Sequence, residues 1–154
     1  RILMAVNQSI RSVLWQLLLT KLDLIAVGSG YWTTPTILEF DPPDPNATGS
    51  YVVCRIGDDV VDEVSVGKRY TMVWTIVLDC YTEKTASTAA TNIFNLTQDV
   101  RRAVGVFAAA AEELYTNRIT VGGGEMAEGV LGEVDGLVSG REVIEVMYIT
   151  KDAW

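Results

Sequence analysis

The sequence predicts an α+β protein, an antiparallel β-sheet with an N-terminal and a long central helix packed on one face. Three observations carry that expectation. Arg69–Glu83 (RYTMVWTIVLDCYTE) places Tyr70, Met72, Trp74, Ile76, Leu78 and Cys80 on one apolar face, and Thr71, Val73, Thr75, Val77, Asp79 and Tyr81 on a mixed one. Such alternation in β-branched and aromatic residues is the pattern of a strand, here a long one. Directly after it, apolar residues recur at three-and-four spacing over the stretch Ser87–Tyr115, which predicts a helix. Finally, 154 residues with 49% hydrophobic and 21% charged content suffice for one sizeable core, so residues 1–154 are expected to form a single domain.

The first element is an amphipathic helix from Ile2 to about Val27. Ile2, Val6, Ile10, Val13, Leu14, Leu17 and Leu18 share its apolar side, and Gly28 is its expected stop. Its end, Leu22–Val27, is apolar nearly all round, so it is either deeply buried or turns into another element. Gly28–Thr34 (GSGYWTT) is a turn with two aromatics, and an exposed Trp32 there would point to a neighbouring molecule. Thr36–Phe40 is a short strand. Asp41–Ser50 (DPPDPNATGS) holds three of the four prolines and is a surface loop. Its sequon at Asn46, like those at Asn7 and Asn95 inside predicted helices, reads as a chance match.

Tyr51–Ile56 and Val60–Val66 are expected as two strands joined by a turn at Gly57-Asp58-Asp59, with Gly67-Lys68 leading into the long strand. The acids Asp58, Asp59, Asp62 and Glu63 match no calcium loop and read as a solvated turn. In the central helix, capped by Ser87 or Thr85 and ending near Asn117, the apolar side comprises Ala90, Ile93, Leu96, Val100, Val104, Phe107, Ala111 and Leu114. Thr88, Asn92, Asn95, Asp99 and Arg102 form the opposite, polar side. Arg118–Val121 is a short strand. Residues 122–140 (GGGEMAEGVLGEVDGLVSG) lack any basic residue and read as a loop or hairpin arm. Arg141–Thr150 alternates again as a closing strand. The Trp74 face of the long strand is expected to look at the helices.

Charge and composition narrow the function. The net charge is −8, and a reader of duplex nucleic acid normally carries a basic face. The chain has no histidine, which removes the commonest general base and metal ligand and every Ser-His or Cys-His nucleophile arrangement. Cys54 and Cys80 lie in strand-like runs and read as buried thiols, with a disulfide as the alternative. Val13–Val27 is interrupted by Lys21 and Asp23, short of the ~20 residues that span a membrane. It has no signal-peptide cleavage pattern, so a soluble protein of a reducing compartment is expected.

No catalytic, cofactor or metal constellation emerges. Gly122-Gly123-Gly124 is followed by no lysine, its spacing does not match GxGxxG, and Glu125 and Glu128 would repel phosphate. No pair of carboxylates is framed for acid–base work, and Lys68 and Lys84 have nothing to recommend them as Schiff-base lysines. Trp15, Trp32, Trp74 and Trp154 read as core or interface anchors. An enzyme is not expected.

The order of elements resembles the tail-terminator and tail-completion proteins of long-tailed bacteriophages. Arg69–Tyr81 (RYTMVWTIVLDCY), the helix over Ser87–Tyr115 and the closing strand Arg141–Thr150 carry the likeness. The Pro-rich loop and the Gly/acid-rich stretch depart from a minimal member. The resemblance implies a structural virion protein assembled in the host cytoplasm. It would be a homohexameric ring that caps the tail tube, stops its polymerisation and meets a head-completion or neck protein. DNA would pass through the channel without specific binding, repelled by acids for which Glu125, Glu128, Glu133 and Asp135 are the candidates. Trp32, Met126, Val130, Leu131 and Val134 are the candidate subunit contacts. Another ring of the neck, connector or tube fits the same pattern. Two other classes remain open, a small cytosolic binding module and a small-molecule enzyme with a deep pocket. Both require Trp32 and the Met126–Val138 stretch to be buried within one subunit.

Overall fold

A computed structural model describes residues 9–44, 46–65, 69–83, 88–115, 119–123, 129–134 and 137–150. Helix α1 spans Ile10–Asp23 and begins at Ser9, whose Oγ accepts the Ser12 N–H at 3.1 Å. It stops at Asp23, short of Val27, and residues 1–8 of the expected helix lie outside the described residues. The apolar end turns into another element, a 3₁₀ turn at Val27–Ser29 closed by Gly30 at φ 86°. Leu22 and Ile25 enter the core there, while Leu24 and Val27 face outward.

Among the described residues six strands form one sheet: β1 (Thr36–Glu39), β2 (Ser50–Ser65), β3 (Arg69–Glu83), β4 (Ile119–Gly123), β5 (Gly129–Val134) and β6 (Leu137–Thr150). Their spatial order is β1-β2-β3-β6-β4, with β5 also paired to β6. The expected α+β class holds, with one departure from an all-antiparallel sheet. β1 runs parallel to β2, from Thr36 opposite Tyr51 to Glu39 opposite Cys54. The long connection after Glu39 carries the chain back to the end of β2 that β1 started from, so the pair must be parallel.

β2 is one continuous strand, not two joined by a turn at Gly57-Asp58-Asp59. Its register against β3 shifts between Ile56 and Asp59 and again between Val61 and Glu63, so the extra residues bulge instead of turning. Gly57 shows why: a Cβ there would sit 3.0 Å from the Thr75 carbonyl oxygen and 3.1 Å from its Cβ. The glycine marks a close backbone approach inside a strand.

β3 is the centre of the sheet, paired to β2 on one side and along its length to β6, from Tyr70 opposite Thr150 to Glu83 opposite Leu137. On the far side of β6, β4 pairs with Ile144–Tyr148 and β5 with Leu137–Arg141. The Gly/acid-rich stretch is therefore largely strand. Its first residues end β4, Gly129–Val134 is β5, and Leu137–Gly140 opens β6; residues 124–128 and 135–136 lie outside the described residues. The long β6 presents a row of backbone donors and acceptors, and pairing with them outweighs the low strand propensity of glycine.

Helix α2 spans Ala89–Leu114. Its N-cap position is Thr88, which makes no side-chain cap hydrogen bond; Thr85, Ser87 and Asn117 lie outside the described residues. Both helices pack on the Trp74 face, as expected. Met72, Trp74, Ile76, Leu78 and Cys80 of β3 join Val52 and Cys54, Ile144, Val146 and Tyr148 in a core with Leu14, Leu18 and Leu22 of α1 and Ile93, Leu96, Val100 and Phe107 of α2. Two members of the expected apolar side of α2, Ala90 and Leu114, are exposed, and Ala103 takes a core place instead. Among the described residues no helix is long and apolar enough to cross a membrane.

Candidate interaction surface

Residues Gly28–Thr34 are held against α2 by two side chains of that helix. Asp99 is fully buried, and its carboxylate accepts the Trp32 N–H at 3.0 Å, the Thr33 N–H at 2.8 Å and the Thr33 hydroxyl at 2.6 Å. This corrects the placing of Asp99 on the solvated side of α2. An acid can be buried there because the turn supplies backbone and hydroxyl donors, which replace water. One turn further on, Arg102 donates to the Gly30 carbonyl at 2.9 Å and lies over the Tyr31 ring at 4.6 Å. The backbone of Trp32 is thus fixed while the residue as a whole is 59% exposed. An aromatic side chain presented on a pinned backbone loses little further freedom on docking, which is how interface anchors gain affinity.

The other candidate contacts are placed only in part. Val130, Leu131 and Val134 lie on β5 at the margin of the sheet, with Glu133 on the same strand. Met126, Glu125, Glu128 and Asp135 lie outside the described residues.

The sheet face away from the helices carries a second feature. Asp79, on the mixed side of β3, is 3% exposed. Its Oδ1 accepts from Arg141 Nε at 2.7 Å, and Arg55 Nε lies 3.2 Å from Oδ2, an ion pair without hydrogen-bond alignment. Arg55 and Arg141 are themselves about two-fifths exposed, so they cover the carboxylate and offer their outer edges to solvent. Around them this face is mixed, with Val73, Thr75, Val77 and Val143 half-buried and Val60, Glu145 and Met147 exposed.

Asp59 also departs from expectation. In place of a solvated turn, its carboxylate bonds Arg11 Nη1 and the Tyr148 hydroxyl, each at 2.8 Å, and so ties α1 to β2 and β6. Glu142, on the core face of β6, bonds Arg101 of α2 at 2.8 Å, and burial raises its carboxyl above the ordinary 4.5. Cys54 and Cys80 are buried free thiols on the core face; burial pushes Cys54 up to about 12 and raises Cys80 as well. Among the described residues no group of three or more Cys, Asp or Glu is placed to hold a metal ion.

Asp99 and Asp79 are the buried acids hardest to read from the sequence. An acid inside a β-branched run is a signal for Asp79, but Asp99 fits a helix's polar side without remark. No family model matches the sequence, and none of the curated proteins matches it.

Proposed function

We propose that this protein is a structural assembly subunit, the tail terminator of a long-tailed bacteriophage. In this reading six copies close into a ring on the end of the tail tube, stop its polymerisation and present a surface to a head-completion or neck protein. The observation that carries assembly is Trp32, exposed at 59% in the single chain although its backbone is pinned by a buried carboxylate. Burial of Trp32 within one subunit is what a self-contained binding module or enzyme would require. The kind of assembly rests on the order of elements, in which a long aromatic strand is followed by the long helix and a closing strand. Each subunit contributes a net charge of −8, and a channel lined with part of it would let DNA slide through by like-charge repulsion.

Light scattering and negative-stain electron microscopy over a range of concentrations test the reading. Rings of six in wild type, and their loss in Trp32→Ala with an unchanged circular dichroism spectrum, are the expected results. A monomer at every concentration that also leaves purified tail tubes free to elongate would sink it.

A further inference from the structure

The outward face of α2 carries a pattern of charge and size along its second half. Arg101, Arg102, Gly105, Ala109, Glu112 and Glu113 are all exposed there. Arg101 and Glu112 stand about three turns apart, as do Arg102 and Glu113, so each pair lies on one line along the helix. Gly105 and Ala109 fall between them, and the face runs from basic through small to acidic about the level of residue 107. Arg101 donates from Nε to Glu142 at 2.8 Å, and Arg102 from Nη1 to the Gly30 carbonyl at 2.9 Å. A guanidinium has five N–H donors, so each side chain is held by its own chain and still has donors for a further carboxylate. Gly105 has no role of this kind within the chain. A Cβ there would meet nothing within 4 Å, and a glycine in mid-helix weakens the helix relative to alanine.

We infer that this face binds a second copy of the same chain, α2 against α2, antiparallel about a two-fold axis at the level of residue 107. Reversal of one helix sets Arg101 against the partner's Glu112 and Arg102 against the partner's Glu113, and the two-fold axis makes each pair twice. The charges select this occupant. Two chains of net charge −8 repel at a distance, so a face on which they meet has to carry its own compensation. This face is complementary to itself when reversed, whereas a parallel pair in register would set arginine on arginine. Gly105 and Ala109 come together at the crossing, where short side chains let two backbones approach. The guanidiniums, already fixed by Glu142 and the Gly30 carbonyl, lose little further freedom on pairing. The contact is separate from the ring reading, because one two-fold contact joins two copies and closes no six-fold ring.

Sedimentation velocity of the full chain carrying Trp32→Ala, over a range of concentrations, reports this contact without the proposed ring contact. Dimers are expected. Adding Glu112→Arg or, separately, Gly105→Leu should weaken the dimer at least about tenfold with an unchanged circular dichroism spectrum. Both positions are exposed, so neither change touches the core. A nitroxide on Gln98→Cys reads the direction of the helices, since Gln98 is exposed while Cys54 and Cys80 are buried from the label. The antiparallel pair separates the two labels by roughly 30 Å, and a parallel pair by roughly 10 Å. A chain that stays monomeric up to millimolar concentration would overturn the proposal. So would a dimer indifferent to both substitutions, or one that gives the short label distance.

Discussion

Asp99 decides how the exposed turn is presented. Replacing it by alanine leaves the Trp32 and Thr33 N–H groups without their acceptor, and a cost of about 2 kcal/mol is expected. Urea denaturation would measure it, and rising hydrogen exchange at Trp32 and Thr33 would show the turn released. Asp99→Asn keeps one acceptor oxygen and should lose less. Glu142 yields a pH prediction whose sign follows from its environment. Its carboxyl is raised above 4.5 by burial, with the Arg101 hydrogen bond acting the other way. The folded chain therefore keeps this proton at a pH where the unfolded chain has released it. The stability contribution is full below the ordinary carboxyl value and is lost as pH rises through the raised one. Glu142→Gln, which stays neutral and can still accept from Arg101, should gain on wild type as pH climbs past 4.5. Parallel thermal melts between acid and neutral pH check this, and a stability difference that is flat with pH would refute it.

Among the elements, β2 is the one whose course depends on a single residue. Gly57 permits the bulge by letting the chain approach Thr75, and Gly57→Ala must push a Cβ against a backbone oxygen at 3.0 Å. A loss of about 1–2 kcal/mol is expected, as for other over-packed sites. Chemical denaturation measures it, and a neutral outcome would mean that the bulge has room to shift. The bulge matters because it sets the register that brings Asp59 opposite Trp74, and so positions the contact of Asp59 with Arg11 and Tyr148. The helices were the more legible elements. The existence of both follows from three-and-four spacing; α1 ends about a turn short of Val27, and α2 ends within a turn of Asn117. The glycine-rich stretch was the least legible, because strand pairing there depends on the edge of β6 and not on local propensity.

For the whole molecule, the two thiols report on global opening. Cys54 and Cys80 are buried in the one core that all layers share, and burial holds Cys54 near 12, so little thiolate forms at neutral pH. Neither should react with iodoacetamide in native buffer, and both should be alkylated together as the chain unfolds in denaturant. Rapid labelling of one cysteine alone would reveal a local opening of β2 or β3.

Alternation along Arg69–Glu83 and Arg141–Thr150, helical spacing in the two long segments and the Trp74 face of the core were all readable in the residues. They depend on near neighbours in the chain, and burial of one apolar face has the same periodicity in any fold. The absence of histidine and the acidic balance likewise bound the chemistry through composition alone. Only the tertiary structure decided that β1 runs parallel, that Gly57 bulges, and that Asp79, Asp99 and Asp59 are paired rather than solvated. In each case the partner lies far along the chain: Arg141 for Asp79, Trp32 and Thr33 for Asp99, Arg11 and Tyr148 for Asp59. A carboxylate looks the same in sequence whether water or a distant donor will satisfy it, and packing alone chooses between them.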